Sequence, residues 1–591
     1  MINKNFFRIF SYESFNNIGI KVSRTSEQNC FLKHLYAFER NPIKRGFNTA
    51  KLESANVEKN IVKSAFPDIS VPNIPFSKFI WDDNATIHGD KIALLDASSG
   101  RSYTYSEAKD ISKRFGSSLR KMGIQKGSVI AVFMTNCPDY VTCLTGIIGI
   151  GAVATPVNPS YTILELAKQL EMANAICIIT KSDTLKTVKA AIADVGAPIK
   201  IIVIGKAVPG TISYEYMLKD DGSLSPLEAD FDNNTIAMLP YSSGTTGLPK
   251  GVMLTSNNII SNICQSVHCR DLAYVDETTD SYQPKTICIM PMFHAFVNVA
   301  VFPTLRAGGQ VITVPKFEPV SYIEALDRYK PTFLHLAPPV VSFLANSDKV
   351  KPQHLESIKS IFVGAAPFGE AIAQKFLEKA PHVVFREVWG MTETSPLVTI
   401  TPENIAKIGS CGVLLPNTEG KVIDFDTGEA LGPNKRGELC VKGPQVMKGY
   451  IDNPRATEET IKSGGWLHSG DIAYYDELGR FYIVDRLKEL IKVKGFQVPP
   501  AELEDLLMSH QDVLDVGVIG IPDERSGEIP FAFIVKNPNS NLSEDVIHAF
   551  VNEHVVQYKQ LSGGIKFVDS IPKTPSGKIL RRNLRKEYLK H

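Results

Sequence analysis

The densest chemistry in the chain lies in Tyr241-Ser242-Ser243-Gly244-Thr245-Thr246-Gly247-Leu248-Pro249-Lys250-Gly251. Glycines let backbone N–H groups crowd around an anion, because no Cβ intervenes. The Ser and Thr hydroxyls add donors, and Lys250 adds a point charge suited to phosphate. A Walker loop needs its lysine directly after a glycine. Here Leu248 and Pro249 separate Gly247 from Lys250, so that reading fails on spacing. A plain surface turn would not need so many donors together with a lysine. The stretch reads as a seat for a nucleotide triphosphate tail.

Other residues could share that chemistry. Glu387-Val388-Trp389-Gly390-Met391-Thr392-Glu393-Thr394 offers an indole on which a purine can stack. Thr392 offers a hydroxyl to phosphate, and Glu393 is a hard oxygen ligand suited to Mg²⁺ shared with phosphate oxygens. Alone, Thr392-Glu393 reads equally as a helix cap. Ser360 to Pro367 is a strand ending in Gly364, Ala365 and Ala366. Such small residues allow a flat ring to lie on the backbone, or close helix–strand packing. His294, between aromatic residues at the end of a buried strand, reads by itself as a core histidine. Asp471, after Gly470 at a strand start, can accept two ribose hydroxyls or cap a turn. Lys578, on a Ser576-Gly577 turn before a basic helix, reads alone as solvated charge.

The elements that must position these groups are legible as alternating strands and helices. Lys91–Asp96, Val129–Met134, Ala175–Thr180 and Ile201–Gly205 read as strands. Ser106–Met122, with Ser106 as its cap, and Asp139–Ile148 read as helices. Thr235–Pro240 and Ile287–Met290 are further buried strands, and Ser256–Asn258 caps a helix. Such alternation predicts parallel sheets with helices on both faces. Arg436–Pro444 with Met447–Tyr450 reads as a β-hairpin region. From Val513 onward the pattern is that of a small α+β domain, with strands Val513–Ile521 and Pro530–Val535 and a helix Ser543–His554.

At 591 residues the chain is too long for one ordinary core, so two or three domains are expected. A net charge of +1 gives no basic excess for nucleic acid. Nine cysteines, odd in number and without CxxC spacing, point away from structural zinc and disulfides and toward a reducing compartment. No run of apolar residues is long enough to span a membrane; peripheral contact with one stays compatible with the sequence. Residues 1–50 carry eight Lys/Arg against three Glu and no long apolar run. Such a leader resembles a mitochondrial transit peptide; a cytoplasmic protein with a plain extension is the alternative. The final Tyr588-Leu589-Lys590-His591 is not a Ser-Lys-Leu peroxisomal address.

Taken together, the loop at Ser242–Lys250, Pro291-Met292-Phe293-His294-Ala295-Phe296, Gly364–Ala366, Val388–Glu393, Gly470-Asp471, Asp485-Arg486-Leu487-Lys488 and Pro575-Ser576-Gly577-Lys578 are similar to the motifs of adenylate-forming enzymes. That family holds acyl-CoA synthetases, 4-coumarate–CoA ligases, firefly-type luciferases and peptide-synthetase adenylation domains. The match runs from Pro72 to Arg582, and the coumarate-ligase-like branch is the nearest in look. It implies an α/β fold: a large N-terminal adenylation domain (71–486) of stacked sheets flanked by helices, with a β-barrel-like subdomain. A small α+β C-terminal domain (487–591) is hinged to it, and residues 1–70 form an extension.

The resemblance also implies roles. Ser242, Ser243, Gly244, Thr245, Thr246, Gly247 and Lys250 take the phosphates. Gly364, Ala365, Ala366, Val388, Trp389, Gly390 and Met391 take the adenine side. Thr392 takes the α-phosphate, Glu393 the Mg²⁺, and Asp471 and Arg486 the ribose. His294 closes over the acyl carboxylate; Phe296 and Val388 line the acyl pocket. Lys492 and Gln497 face the reacting groups, Lys494 and Gly495 border the CoA thiol path, and Lys488 is the hinge. Lys578 bridges carboxylate and α-phosphate. The implied reaction uses ATP, Mg²⁺ and CoA to turn a carboxylic acid into an acyl-adenylate and then a thioester, in a monomer or homodimer.

Two departures stand out. Relatives show Gly-Tyr-Gly where this chain has Val388-Trp389-Gly390. Val388 adds bulk where coumarate ligases border a planar ring, so a medium-chain or branched acid is expected over a hydroxycinnamate. A 4-coumarate or other aromatic acid–CoA ligase, a luciferase-like oxygenase, a carrier-protein-loading adenylation enzyme and a non-catalytic binding protein are the competing readings.

Overall fold

A computed structural model describes residues 57–224, 232–242, 249–267, 272, 274–366, 369–403, 406–494, 496–537 and 540–589. The expected leader, Ser243–Gly247 of the phosphate loop, and Gly495 lie outside the described residues.

Continuous apolar runs make the central strands. Val129–Phe133, Val153–Pro156, Ala175–Lys181 and Lys200–Ile204 pair in parallel. Ile130 and Val132 face one core, and Ala131 and Phe133 another, so both faces of this sheet are covered, as parallel sheets require. Ile236–Met238 joins it in parallel, Lys250–Thr255 antiparallel, and Tyr241–Ser242 closes its edge. Helix Pro138–Gly149 is buried on every side through Ile148, so its mostly apolar composition reflects the core. No helix among the described residues is long and apolar enough to cross a membrane.

A second sheet pairs Lys285–Cys288, Gln310–Thr313 and Ile92–Asp96 in parallel. A third pairs Phe333–Leu336, Ser360–Val363 and Val384–Gly390 in parallel, and ends in the antiparallel Leu397–Ile400 and Val413–Leu414. Beyond the carboxyl ends of these three parallel strands come the start of helix Pro338–Asn346, the Gly364–Ala366 segment and the turn Thr392–Thr394, the usual place for a site in such sheets. The β-barrel-like part is an antiparallel seven-stranded sheet. Its core includes Val422, Leu439, Leu467 and Phe481.

The small domain is built on Val513–Asp523 and Gly527–Lys536, a long antiparallel pair. Val516, Val518 and Ile534 face helices Pro500–Met508 and Glu544–His554, while Ile519, Phe531 and Phe533 face helix Arg581–Tyr588. Ser543 caps its helix by accepting from Val546 N–H, and Pro500 occupies a first turn where a missing N–H costs nothing.

Several expectations need correction. The helix Tyr105–Lys121 is capped by Thr104, not Ser106. The extended Thr104 hydroxyl accepts from Glu107 N–H, and the Glu107 carboxylate takes the Thr104 N–H, a reciprocal box that a residue already inside the helix cannot make. Ordered structure also begins before residue 71. Val57–Glu58 and Ile61–Lys63 extend the antiparallel sheet along Glu419–Ile423. The hairpin expected over Arg436–Tyr450 is split. Gly437–Lys442 pairs with Glu419–Ile423 and Trp466–Tyr475, whereas Gly449–Tyr450 crosses to Val252 and Met253. Asp471 stands inside strand Trp466–Tyr475, not at its start.

Candidate active site

The phosphate loop is held as the tip of a hairpin: Ser242 pairs with Lys250, and Tyr241 with Gly251. Gly251 is required by contact, since a Cβ there would come within 2.7 Å of Ile451 Cγ2. At the base of this hairpin the Ser242 hydroxyl donates to Glu393 Oε1 at 3.1 Å, and Tyr450 Oη donates to the same oxygen at 2.8 Å. Lys250 Nζ lies 4.8 Å from the Tyr450 ring centroid. Three segments far apart in sequence thus place a cation, two hydroxyls and a carboxylate together. The hard oxygens of Glu393 and Ser242 fit Mg²⁺. Tyr450 gives no sequence signal of its own: it is an uncharged ring at the end of Met447-Lys448-Gly449-Tyr450.

Trp389 and Asp471 are joined directly. The indole N–H donates to Asp471 Oδ2 at 2.9 Å, while Arg486 Nε sits 2.6 Å from Oδ1. Asp471 and Arg486 are register partners on adjacent strands, which fixes this pair. Asp471 is buried, and that burial raises its pKa against the opposing pull of Arg486, Trp389 and Lys578. Trp389 is 8% exposed and packs with Val398 and Cys411. Gly390 must lack a side chain, because a Cβ would stand 2.0 Å from the Pro396 carbonyl oxygen. The turn Thr392–Thr394 follows at once, and Thr392 is half-buried.

Gly364 lies under Val388: a Cβ on it would be 2.8 Å from Val388 Cγ2. Ala365 has φ +76°, a left-handed conformation that a residue with a Cβ adopts at a cost, and it is exposed beside the half-buried Ala366. Phe296 is buried and His294 half-buried. Loss of water, with the charge of Lys578, lowers the His294 pKa to about 4, so the ring is neutral.

Lys578 reaches this pocket from the small domain. Its pKa falls to about 8, through burial first and the Arg486 charge second, against Asp471 and Glu489. Gly577 makes the approach feasible. It has φ +86°, and a Cβ would stand 2.9 Å from Pro339 Cδ in the first turn of helix Pro338–Asn346. Thr574 Oγ1 accepts from Lys578 N–H and bonds Ser576 Oγ, which shapes the turn.

Other predicted residues lie elsewhere. Lys492 and Gln497 face each other across the hairpin Ile491–Val493/Phe496–Val498, both exposed, with Lys494 exposed beside them. Lys488 is exposed on the turn that follows Arg486. Glu438, Cys440 and His468 bring ligand atoms within 4.8 Å, a grouping that spacing did not reveal. Glu438 already accepts from Gly470 N–H at 3.1 Å and meets His468 Nδ1 at 2.9 Å, and burial raises the Cys440 thiol to about 12. That trio braces the Gly470-Asp471 bend.

A two-domain α/β scaffold that puts a phosphate hairpin, a buried aspartate–arginine pair and a lysine from the small domain around one pocket defines a nucleotide-using ligase. Residues 81–451 match the family model described as AMP-binding enzyme, and residues 502–578 match the AMP-binding enzyme C-terminal domain. The chain is 38% identical over 538 residues to 4-coumarate–CoA ligase 3 of Oryza sativa subsp. japonica, covering 89% of this chain and 94% of that protein. It is 38% identical to 4-coumarate–CoA ligase 1 of Arabidopsis thaliana, covering 90% and 96%. Its fold matches ATP-bound MatB from Rhodopseudomonas palustris with a TM-score of 0.78 and 26% identity, covering 88% and 99%. The chain belongs to the AMP-binding enzyme family. It is an AMP-forming acid–thiol ligase that works with ATP, Mg²⁺ and CoA.

Proposed function

We propose that this ligase activates a flexible, medium-chain or branched carboxylic acid. The observation that carries the reading is Val388 Cγ2, packed 2.8 Å from where a Gly364 Cβ would be. On this reading the methyl adds bulk where a planar ring would lie. The competing aromatic reading draws on the names of the coumarate-ligase relatives.

The roles follow from charge. An acid carboxylate attacks the α-phosphorus of ATP, and both are anions. Lys578 lies between them, and Lys250 with the Ser/Thr loop takes the β- and γ-phosphates. Each such group lowers the barrier by about 3 kcal/mol. Glu393 and Ser242 would hold Mg²⁺, which supplies charge neutralisation on the triphosphate oxygens. Trp389 and the Gly364–Ala366 backbone take adenine, Asp471 and Arg486 take ribose, and Thr392 takes the α-phosphate. Neutral His294 closes the acyl side without adding charge. After pyrophosphate leaves, the small domain turns about Lys488. Lys578 withdraws, and the hairpin bearing Lys492, Lys494 and Gln497 replaces it for thiol attack by CoA. The basic leader supports action in a mitochondrion, which import of the full chain into isolated organelles would test.

The substrate test is CoA-dependent AMP release across a panel from hexanoate to palmitate with cinnamate, 4-coumarate and benzoate. Medium-chain acids should lead in the native chain, and Val388→Gly should gain cinnamate turnover by about tenfold. A native preference for 4-coumarate contradicts the reading.

A further inference from the structure

Beside the acyl wall sits a polar row that the proposed chemistry does not use. His335, Phe362 and Arg386 are register partners on three parallel strands, so their side chains share one face. The rings confirm it: His335 stacks on Phe362 at 5.0 Å and 17°, and the Arg386 guanidinium lies 4.8 Å from the Phe362 centroid. Gly364 and Val388 stand two residues further along the same strands, about 7 Å nearer the site. Phe296, two residues past His294, meets the edge of the His335 ring at 5.9 Å. This row therefore lies deep to Val388, on the side away from Lys578.

The His335 tautomer is fixed by its partner. Tyr274 Oη donates to the Val299 carbonyl at 2.6 Å. Its oxygen must then accept from His335 Nε2, 2.7 Å away. The ring proton is on Nε2, and Nδ1 is a bare acceptor. Burial and the Arg386 charge lower the His335 pKa to about 3, so a second proton is not taken up. Nδ1 is buried and has no hydrogen-bond partner among the described residues. Asn298, next in sequence to the carbonyl that receives Tyr274, is 1% exposed, and neither of its amide atoms is paired among the described residues. A core histidine or asparagine is ordinarily satisfied. His335, against Phe296, and Asn298, one residue from the carbonyl that Tyr274 bonds, could both be completed by a polar group of the ligand.

We propose that His335 and Asn298 form the far end of the acyl site and select an acid whose chain carries a hydroxyl remote from its carboxylate. The hydroxyl donates to His335 Nδ1 and accepts from Asn298 Nδ2. A second carboxylate is disfavoured, because an ionised one cannot donate to a bare lone pair. An amine is disfavoured by the Arg386 charge close by. This deepens the proposed medium-chain reading and rests on it.

The test pairs octanoate with 8-hydroxyoctanoate and dodecanoate with 12-hydroxydodecanoate, measured as CoA-dependent AMP release by the full chain. The native protein should favour a hydroxylated member by at least about tenfold in kcat/KM. His335→Leu should erase that preference while keeping turnover of the plain acid, which also shows that the variant is folded. His335→Gln, which restores an acceptor, should recover part of it. Equal use of both members by the native protein, or a preference unchanged in His335→Leu, overturns the inference and leaves the medium-chain reading standing. Turnover of 4-coumarate alone overturns both.

Discussion

Trp389 and Asp471 show how a single hydrogen bond can tune a nucleotide site. The indole N–H occupies Oδ2 and Arg486 occupies the Oδ1 side, so the carboxylate is oriented before any ribose arrives. Trp389→Phe keeps the ring and removes the donor. The KM for ATP should rise about tenfold, in line with a lost bond to a charged group, while the KM for the acid stays level in steady-state kinetics. A matching change in both would instead mean a general loosening of the pocket. Lys578→Ala should lower acid-dependent ATP–pyrophosphate exchange by about a thousandfold, yet leave thioester formation from a supplied acyl-adenylate near the native rate. Loss of both half-reactions in a folded variant contradicts the role given to Lys578. Lys250, Glu393, Asp471 and Lys578 were legible in the sequence because each is a charged residue beside glycines or hydroxyls. Tyr450 and His335 were not. Each acts through partners at long range, such as the 57 residues between Tyr450 and Glu393 and the 61 between His335 and Tyr274, which no local pattern encodes.

The elements carry a second set of constraints. The Gly577 turn meets Pro339 only because it has no side chain. Gly577→Ala should therefore depress adenylation while the small domain's own stability changes little, read as lost pyrophosphate exchange with unchanged thioester formation. The contact between helix Pro500–Met508 and the loop at Gly369 is as close, with Asp505 Oδ1 only 1.9 Å from where a Gly369 Cβ would be. Asp505 and Glu370 face Glu387, whose carboxyl is pushed up to about 7 by burial first and by these two acids after it, against the Gly409 N–H. A pKa raised in the folded state stabilises below the ordinary value near 4.5, and this contribution is gone once the pH has risen through about 7. The native Tm should fall across that window relative to Glu387→Gln in a pH series of thermal melts; parallel curves would remove Glu387 as the cause. The parallel strands were legible because burial on both faces leaves an uninterrupted apolar run, as in Val129–Phe133. The strands at residues 57–63 and 449–450 were not, because they are short and exist only through pairing with distant segments.

At the scale of the molecule, one pocket has to serve two reactions. Internal ties keep the small domain a unit: Arg581 binds both oxygens of Glu504 at 2.7 and 2.8 Å and also donates to the Val518 carbonyl. It meets the large domain at Gly577 against Pro339 and at Asp505 against Gly369, and at the joint Asp485 accepts from Ala501 N–H. The arrangement seen is the one with Lys578 beside Asp471 and His294, suited to the first half-reaction, while Lys492 and Gln497 are exposed. The most direct test of the account is stoichiometric. ATP, Mg²⁺ and a medium-chain acid are given to the full chain with and without CoA, and AMP and acyl-CoA are measured together. The account predicts one AMP per acyl-CoA, with sustained turnover only when both acid and CoA are present. Acid-dependent pyrophosphate exchange without CoA-dependent AMP release would contradict it and point to a different acceptor for the adenylate.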